Sequence, residues 1–190
     1  MFEKLFKKKE AMDNNLYAPI EGEYIELEKI PDKVFASGMI GTGCGIVPKG
    51  EKVTAPVNGE IIMVADTKHT IGIKSEMGAE ILLHIGLETV AMNGEGFEVL
   101  VKVGDKIKVG QDLLRFDLKK IEEKADSEIS AFLISNSDEF EKININVEKN
   151  YEKKRKNRGM HNKINMYTLI NFIKKYNRSI RRNVNTFFFE

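Results

Sequence analysis

The sequence predicts an all-β fold: an antiparallel β-sandwich with internal duplication and few short helices. Two observations carry this. Between residues 16 and 117, short β-prone runs alternate with Gly, Pro, Asn and Asp turn signals, and few stretches are long enough for a helix. Within that span Ala18-Pro19-Ile20-Glu21-Gly22-Glu23-Tyr24-Ile25 returns thirty-seven residues later as Ala55-Pro56-Val57-Asn58-Gly59-Glu60-Ile61-Ile62. Each copy sets Pro ahead of a strand and Gly at a turn, then continues in apolar alternation. Two such units can cover opposite sides of one core.

At 190 residues, 42% hydrophobic and 31% charged, the chain suffices for one packed domain with appendages. Cys44 is the single cysteine, so it has no partner for an internal disulfide or a cysteine cluster, and a cytoplasmic location is expected. No stretch approaches the roughly 20 apolar residues that span a bilayer, and the first ten residues lack the apolar core of a signal peptide. Charge divides the chain unevenly. Residues 151–190 carry 11 Lys or Arg against 2 Glu, a net of +9, which leaves −8 for residues 1–150. An acidic body argues against nucleic-acid binding, which needs a basic surface.

Taken in order, residues 1–15 form a basic amphipathic segment. Phe2, Leu5 and Phe6 share a helical face among Lys4, Lys7, Lys8 and Lys9. Residues 1–10 therefore offer peripheral contact with the inner face of an anionic membrane, against the plainer reading of a frayed terminus. Residues 16–150 form the β-sandwich domain. In it, Val103-Gly104-Asp105-Lys106-Ile107 followed by Val109-Gly110-Gln111-Asp112-Leu113 resembles the turns of biotinyl and lipoyl carrier domains, which are flattened sandwiches. A short helix is expected over residues 118–125, and a further turn after Asn136 capped by Ser137 or Asp138.

Two of the three histidines lie in strand-like runs, Thr67-Lys68-His69-Thr70-Ile71 and Leu82-Leu83-His84-Ile85-Gly86. With Ser75-Glu76-Met77-Gly78 as a four-residue hairpin loop, Lys74 faces Ala79 and His69 becomes the direct partner of His84. Directly opposed residues have Cβ atoms about 5 Å apart, close enough for two imidazoles to hold one small anion, whereas a one-residue slip would separate their faces. A neutral imidazole is a competent nucleophile near neutral pH and forms a labile phosphoramidate. On these residues alone, phosphoryl transfer stands beside a hydrogen-bonded structural pair and beside two ligands of a zinc site. Gly86 is expected to open backbone N–H groups to a phosphate, and Thr67 to fix the tautomer of His69.

Further residues then carry a family resemblance. Ala18-Pro19 with Gly22, Ile30-Pro31-Asp32 with Val34-Phe35-Ala36, Ala55-Pro56-Val57 with Gly59, Thr67-Lys68-His69, His84-Ile85-Gly86-Leu87-Glu88-Thr89-Val90, Gly94-Glu95-Gly96-Phe97, Phe116-Asp117-Leu118 and Ile134-Ser135-Asn136 follow one another as in glucose-class enzyme IIA of bacterial sugar phosphotransferase systems. The series resembles that family over about residues 16–150. The resemblance implies a duplicated hybrid motif, a barrel-sandwich-like fold, and a phosphotransferase component. In that role His84 takes a phosphoryl group from the phosphocarrier HPr as a tele-phosphohistidine and passes it to a cysteine of a IIB domain in a IIB/IIC sugar permease. His69 matches the ring that stabilises the phosphate, and Thr67 the residue that orients His69. Val34, Phe35, Met39, Ile40, Leu82, Gly86, Glu88 and Val90 match the partner-binding surface, while Lys33, Ala65, Gly72 and Lys74 depart from enteric members near it. No cofactor and no metal are expected.

Residues 151–190 form a basic tail unlike the family, where a Gly-containing turn and a closing strand are expected instead. Its readings are a shifted reading frame, a disordered segment, or a basic amphipathic helix on which Met166, Leu169, Ile170, Ile173, Tyr176 and Ile180 recur. The alternatives to a phosphocarrier are a zinc-binding relative of lysostaphin-type metallopeptidases, which needs a His-x-His pair that is absent, and a non-catalytic binding module. A lipoyl or biotinyl carrier would need a lysine at the tip of the hairpin, where Ser75 to Gly78 has none.

Overall fold

The computed structural model describes residues 15–145 and 168–174. Its elements are β1 (Asn15–Tyr17), β2 (Ile20–Glu26), α1 (Lys33–Ala36), β3 (Thr42–Thr54), β4 (Gly59–Val64), β5 (Thr70–Ser75), β6 (Glu80–His84), β7 (Phe97–Val99), β8 (Lys106–Ile107), β9 (Asp112–Phe116), α2 (Leu118–Lys124), β10 (Ser130–Ile134), β11 (Phe140–Ile145) and β12 (Thr168–Lys174). The larger sheet runs β7-β9-β3-β10-β6-β5-β4-β8 with β2 also paired to β3, and the smaller runs β1-β12-β11. All pairings among these strands are antiparallel, as the sequence predicts.

The duplication is visible as main-chain bonding. Tyr17 N–H donates to the Pro56 carbonyl (2.9 Å) and Thr54 N–H to the Pro19 carbonyl (2.8 Å). These donors and acceptors are related by the same thirty-seven-residue step as the repeat, so each copy satisfies a backbone group of the other. Gly22 and Gly59 are likewise equivalent. A Cβ added to either would strike a main-chain carbonyl, that of Val47 or of Lys74, so both positions require the absence of a side chain.

One core, centred on fully buried Phe132, Ile46, Ile61, Ile73, Leu83 and Leu113, receives residues from both sheets, among them Leu16 and Phe140 of the smaller one. A second cluster of Leu27, Ile30, Phe35, Leu87, Ala131 and Leu133 packs around α1 and β10. This smaller cluster exists because Asp32 caps α1, its Oδ1 accepting from Val34 N–H (2.8 Å) and Phe35 N–H (3.0 Å), which seats the Phe35 side chain inward. Asp117 caps α2 through Lys120 N–H (3.1 Å), close to the expected limits. After Asn136 a 3-10 turn spans Ser137–Glu139, so Ser137 and Asp138 lie within the turn rather than capping it. The Asn136 side chain instead binds Glu80 N–H (2.8 Å) and the Gly78 carbonyl (3.0 Å).

The β5–β6 register differs by one residue from the expected one: Thr70, not His69, stands opposite His84, and Lys74 faces Glu80. The cause is Ser75. Its N–H donates to the Ala79 carbonyl (2.8 Å) and its buried hydroxyl accepts from Ala79 N–H (2.8 Å), so Ser75 joins the ladder and the loop shortens to three residues.

Of the three readings of the tail, the helical one does not hold over residues 168–174, which form β12 between β1 and β11. Both neighbours would otherwise leave a row of unpaired main-chain groups, and one strand between them satisfies both. The remainder of the tail, with His161, and the amphipathic N-terminal segment up to residue 14 lie outside the described residues. Among the described residues no helix is long and apolar enough to cross a membrane.

A chain ending at Asn150 loses β12. It is expected to lose about 2 kcal/mol or more in urea unfolding, at roughly 0.5–1.5 kcal/mol net per hydrogen bond, and to associate through the freed edges of β1 and β11. An unchanged urea midpoint and a monomeric sedimentation profile would contradict the pairing.

Candidate functional site

His84 is the last residue of β6, paired with Thr70 on one side and Ala131 of β10 on the other. Its side chain stands on the face of the sheet opposite the main core, against the smaller cluster, with the Phe35 ring edge-on at 5.0 Å. Beyond β6 the chain turns sharply at Gly86 (φ 69°), where an added Cβ would come within 2.6 Å of Thr89 Cγ2. This turn folds the Gly86 carbonyl back to His84 Nδ1 at 2.8 Å. A carbonyl can only accept, so Nδ1 carries the proton and Nε2 of the neutral ring keeps its lone pair.

The role expected for Gly86 therefore changes. Its N–H donates to Ser130 Oγ (3.2 Å), which occupies the group expected to face a phosphate, and its carbonyl serves the ring instead. Ser130 gave no signal in the sequence, because it lies 44 residues away on β10.

His69 lies one residue before β5, and its carbonyl accepts from Ile85 N–H (2.9 Å). The residue is 6% exposed, and its ring stands 4.7 Å from the His84 ring, edge to face at 74°. The two rings meet despite the shifted register because His69 sits outside the regular pleat of β5, where alternation no longer dictates its direction. Thr67 Oγ1 lies 2.7 Å from His69 Nδ1.

The electrostatics favour neutral rings. Burial, reinforced by His69 nearby, pushes the His84 imidazole down to about 4, against weaker opposing effects of its Gly86 bond and the Asp32 carboxylate. Burial also lowers the His69 imidazole, and a hydrogen bond to the Thr67 backbone opposes it. Among the described residues no group of three or more His, Cys, Asp or Glu is placed to hold a metal ion. A half-buried neutral ring whose Nε2 keeps its lone pair can attack phosphorus, and the second imidazole beside it can hold the resulting oxygens.

Of the expected partner-binding residues, Val34 (48%), Met39 (82%) and Val90 (53%) are exposed, as is Glu88, whereas Leu82 and Ile40 are half-buried. Phe35 and Gly86 are buried and shape the seat of His84 from within. Two neighbours were not singled out by the sequence. Lys68 adopts a left-handed backbone (φ 61°). Thr70, directly across from His84, has a buried hydroxyl with no hydrogen-bond partner among the described residues, and its place follows once the register is known.

The family described as the phosphoenolpyruvate-dependent sugar phosphotransferase system, EIIA 1, matches residues 14–140. The chain is 51% identical over 147 residues to the PTS system glucose-specific EIIA component of Staphylococcus epidermidis, covering 76% of this chain and 89% of that one. It is 48% identical over 147 residues to the corresponding component of Staphylococcus aureus, with the same coverage. Among solved structures it resembles the glucose permease IIA from Mycoplasma capricolum with a TM-score of 0.62 and 39% identity, covering 64% of this chain and 79% of that one.

The depressed His84 titration has a consequence for stability. Unfolded histidine takes a proton near pH 6.5, about where a free imidazole titrates, and the folded site refuses it until about 4. Stability contributed by neutral His84 is therefore whole above pH 6.5 and lost as pH falls toward 4. The ring C2–H resonance of His84 should titrate near 4, and His84→Gln should flatten the loss of urea stability between pH 7 and 4.5. A midpoint near 6.5 would contradict the burial of the ring.

Proposed function

Because the chain belongs to the EIIA 1 family of phosphoenolpyruvate-dependent sugar phosphotransferase systems, and so is a phosphotransferase component that carries phosphoryl groups in sugar uptake, we propose that His84 is the carrier residue. The observation that supports this most is the bond from His84 Nδ1 to the Gly86 carbonyl, which leaves Nε2 as the one nucleophilic nitrogen of a neutral ring. Nε2 attacks the phosphorus of a phosphohistidine on HPr. The new N–P bond forms as the donor N–P bond breaks, and the electron pair returns to the donor imidazole. In the second step a cysteine thiolate of a IIB domain attacks the same phosphorus, and the pair of the departing bond returns to His84 Nε2.

His69 serves as the stabiliser. In this role the Thr67 hydroxyl, 2.7 Å from Nδ1, is assigned as the donor to that nitrogen, which puts the His69 proton on Nε2 where a phosphoryl oxygen can accept it. That donor matters most when an anionic thiolate approaches a phosphoryl group that is already negative. The exposed side chains of Val34, Met39, Glu88 and Val90, with half-buried Leu82 and Ile40, form the docking surface. An apolar patch with a polar rim fits successive, short-lived partners. The carrier domain comprises residues 16–150, with the tail contributing β12.

Incubation with phosphoenolpyruvate, enzyme I and HPr should place acid-labile label on the protein. His84→Ala should take up none; uptake at the unsubstituted level would overturn the assignment. His69→Gln should still be labelled but pass the label to a IIB cysteine on the order of 10²-fold more slowly. Transfer by His69→Gln at the full rate would remove the stabilising role.

A further inference from the structure

Non-glycine residues with left-handed backbones are uncommon, and three occur among the described residues: Lys68 (φ 61°), Glu88 (φ 59°) and Asn93 (φ 50°). Lys68 directly precedes His69. On β5, Ile71 and Ile73 face the main core together with Leu83 and Ile81 of β6, while Thr70 shares the opposite face with His84. A His69 that continued this alternation would point with Ile71, away from His84. Its ring instead lies 4.7 Å from the His84 ring.

The departure begins in the β4–β5 connection. Ala65 N–H donates to the Thr70 carbonyl (3.0 Å), and inside that closure Lys68 N–H donates to the Ala65 carbonyl (2.8 Å). The chain then bends at Lys68 and His69. A turn followed by a left-handed residue that ends in a bulge is a common hairpin connection, and glycine ordinarily fills the left-handed place. Here a lysine fills it, with its stem alongside the Cα of Gly94, 3.4 Å from where a Cβ would stand. Strain of this kind persists where the surroundings over-determine it, and it concentrates at working sites.

We infer that the left-handed backbone of Lys68 turns His69 out of the β5 pleat and onto His84, which makes Lys68 a positioning residue for the histidine pair. Its effect on transfer rests on the assignment of His69 as the ring that holds the phosphoryl oxygens. The contact between the rings does not.

The full-length chain tests this with three substitutions. Lys68→Gly and Lys68→Asn keep the left-handed backbone accessible but remove the stem and the charge, whereas Lys68→Val penalises that backbone. In the unphosphorylated protein, nuclear Overhauser contacts between the His69 and His84 ring protons should persist in Lys68→Gly and Lys68→Asn and weaken in Lys68→Val. In Lys68→Val, label should still reach His84, and its passage to a IIB cysteine should slow by up to about tenfold, because a β-branched side chain adds to the left-handed penalty that lysine already bears. Lys68→Thr, which is also β-branched, supplies the same comparison should Lys68→Val not fold. Unchanged ring contacts in a folded Lys68→Val or Lys68→Thr would overturn the inference. So would equal losses in the glycine and asparagine variants, which would assign the effect to the lysine side chain. A failure of the carrier assignment shows itself separately, as label retained by His84→Ala.

Discussion

The hydrogen bond from His84 Nδ1 to the Gly86 carbonyl decides which nitrogen of the ring can react, and the surrounding structure exists to hold that carbonyl still. Gly86 can turn the chain back because it carries no side chain where Thr89 already stands. Its N–H is secured by Ser130 on β10, the strand that also pairs with β6 through Ala131. Removing any of these parts would free the ring to flip, and the proton on Nδ1 would no longer specify a reactive Nε2.

Burial completes the arrangement. Phe35 and the cluster beneath it withdraw His84 from water, and the neighbouring His69 makes a second proton still less welcome, so the ring stays neutral far below its ordinary titration range. The capped turn of α1 therefore links a local sequence signal, Asp32 ahead of Val34 and Phe35, to the chemistry of a residue fifty positions away. The reciprocal bonds between the two repeats play the corresponding part for the fold as a whole. They fix the strands that lead into β5 on one side and into β3 on the other.

Much of this was legible in the sequence, for reasons that differ by element. The sandwich follows from turn chemistry and a repeated Ala-Pro segment, and α2 from the short helical run over residues 118–125, whereas its cap, Asp117, emerges only in the structure. The histidine pair was anticipated through a register that proved wrong by one residue. The sequence places Ser75 in the loop, whereas its hydroxyl and N–H bind Ala79 and draw it into the ladder. The rings meet all the same because the backbone bends just before β5, and a left-handed lysine is not announced by composition. Gly86 was recognised as special, but whether its N–H or its carbonyl serves the site depends on Ser130, which only tertiary structure brings near. In the tail, apolar spacing suggested a helix, and the demand of two facing strand edges for a partner prevailed over residues 168–174.

The central claim is that the Gly86 carbonyl leaves Nε2 of His84 as the reactive nitrogen. Heteronuclear NMR of the ¹⁵N-labelled phosphoprotein reads this directly from the phosphorus–nitrogen coupling and the ring-nitrogen shifts. The account predicts a single phosphoryl group on Nε2 of His84, with Nδ1 still protonated. A phosphoryl group on Nδ1 of that ring, or on His69, would contradict it.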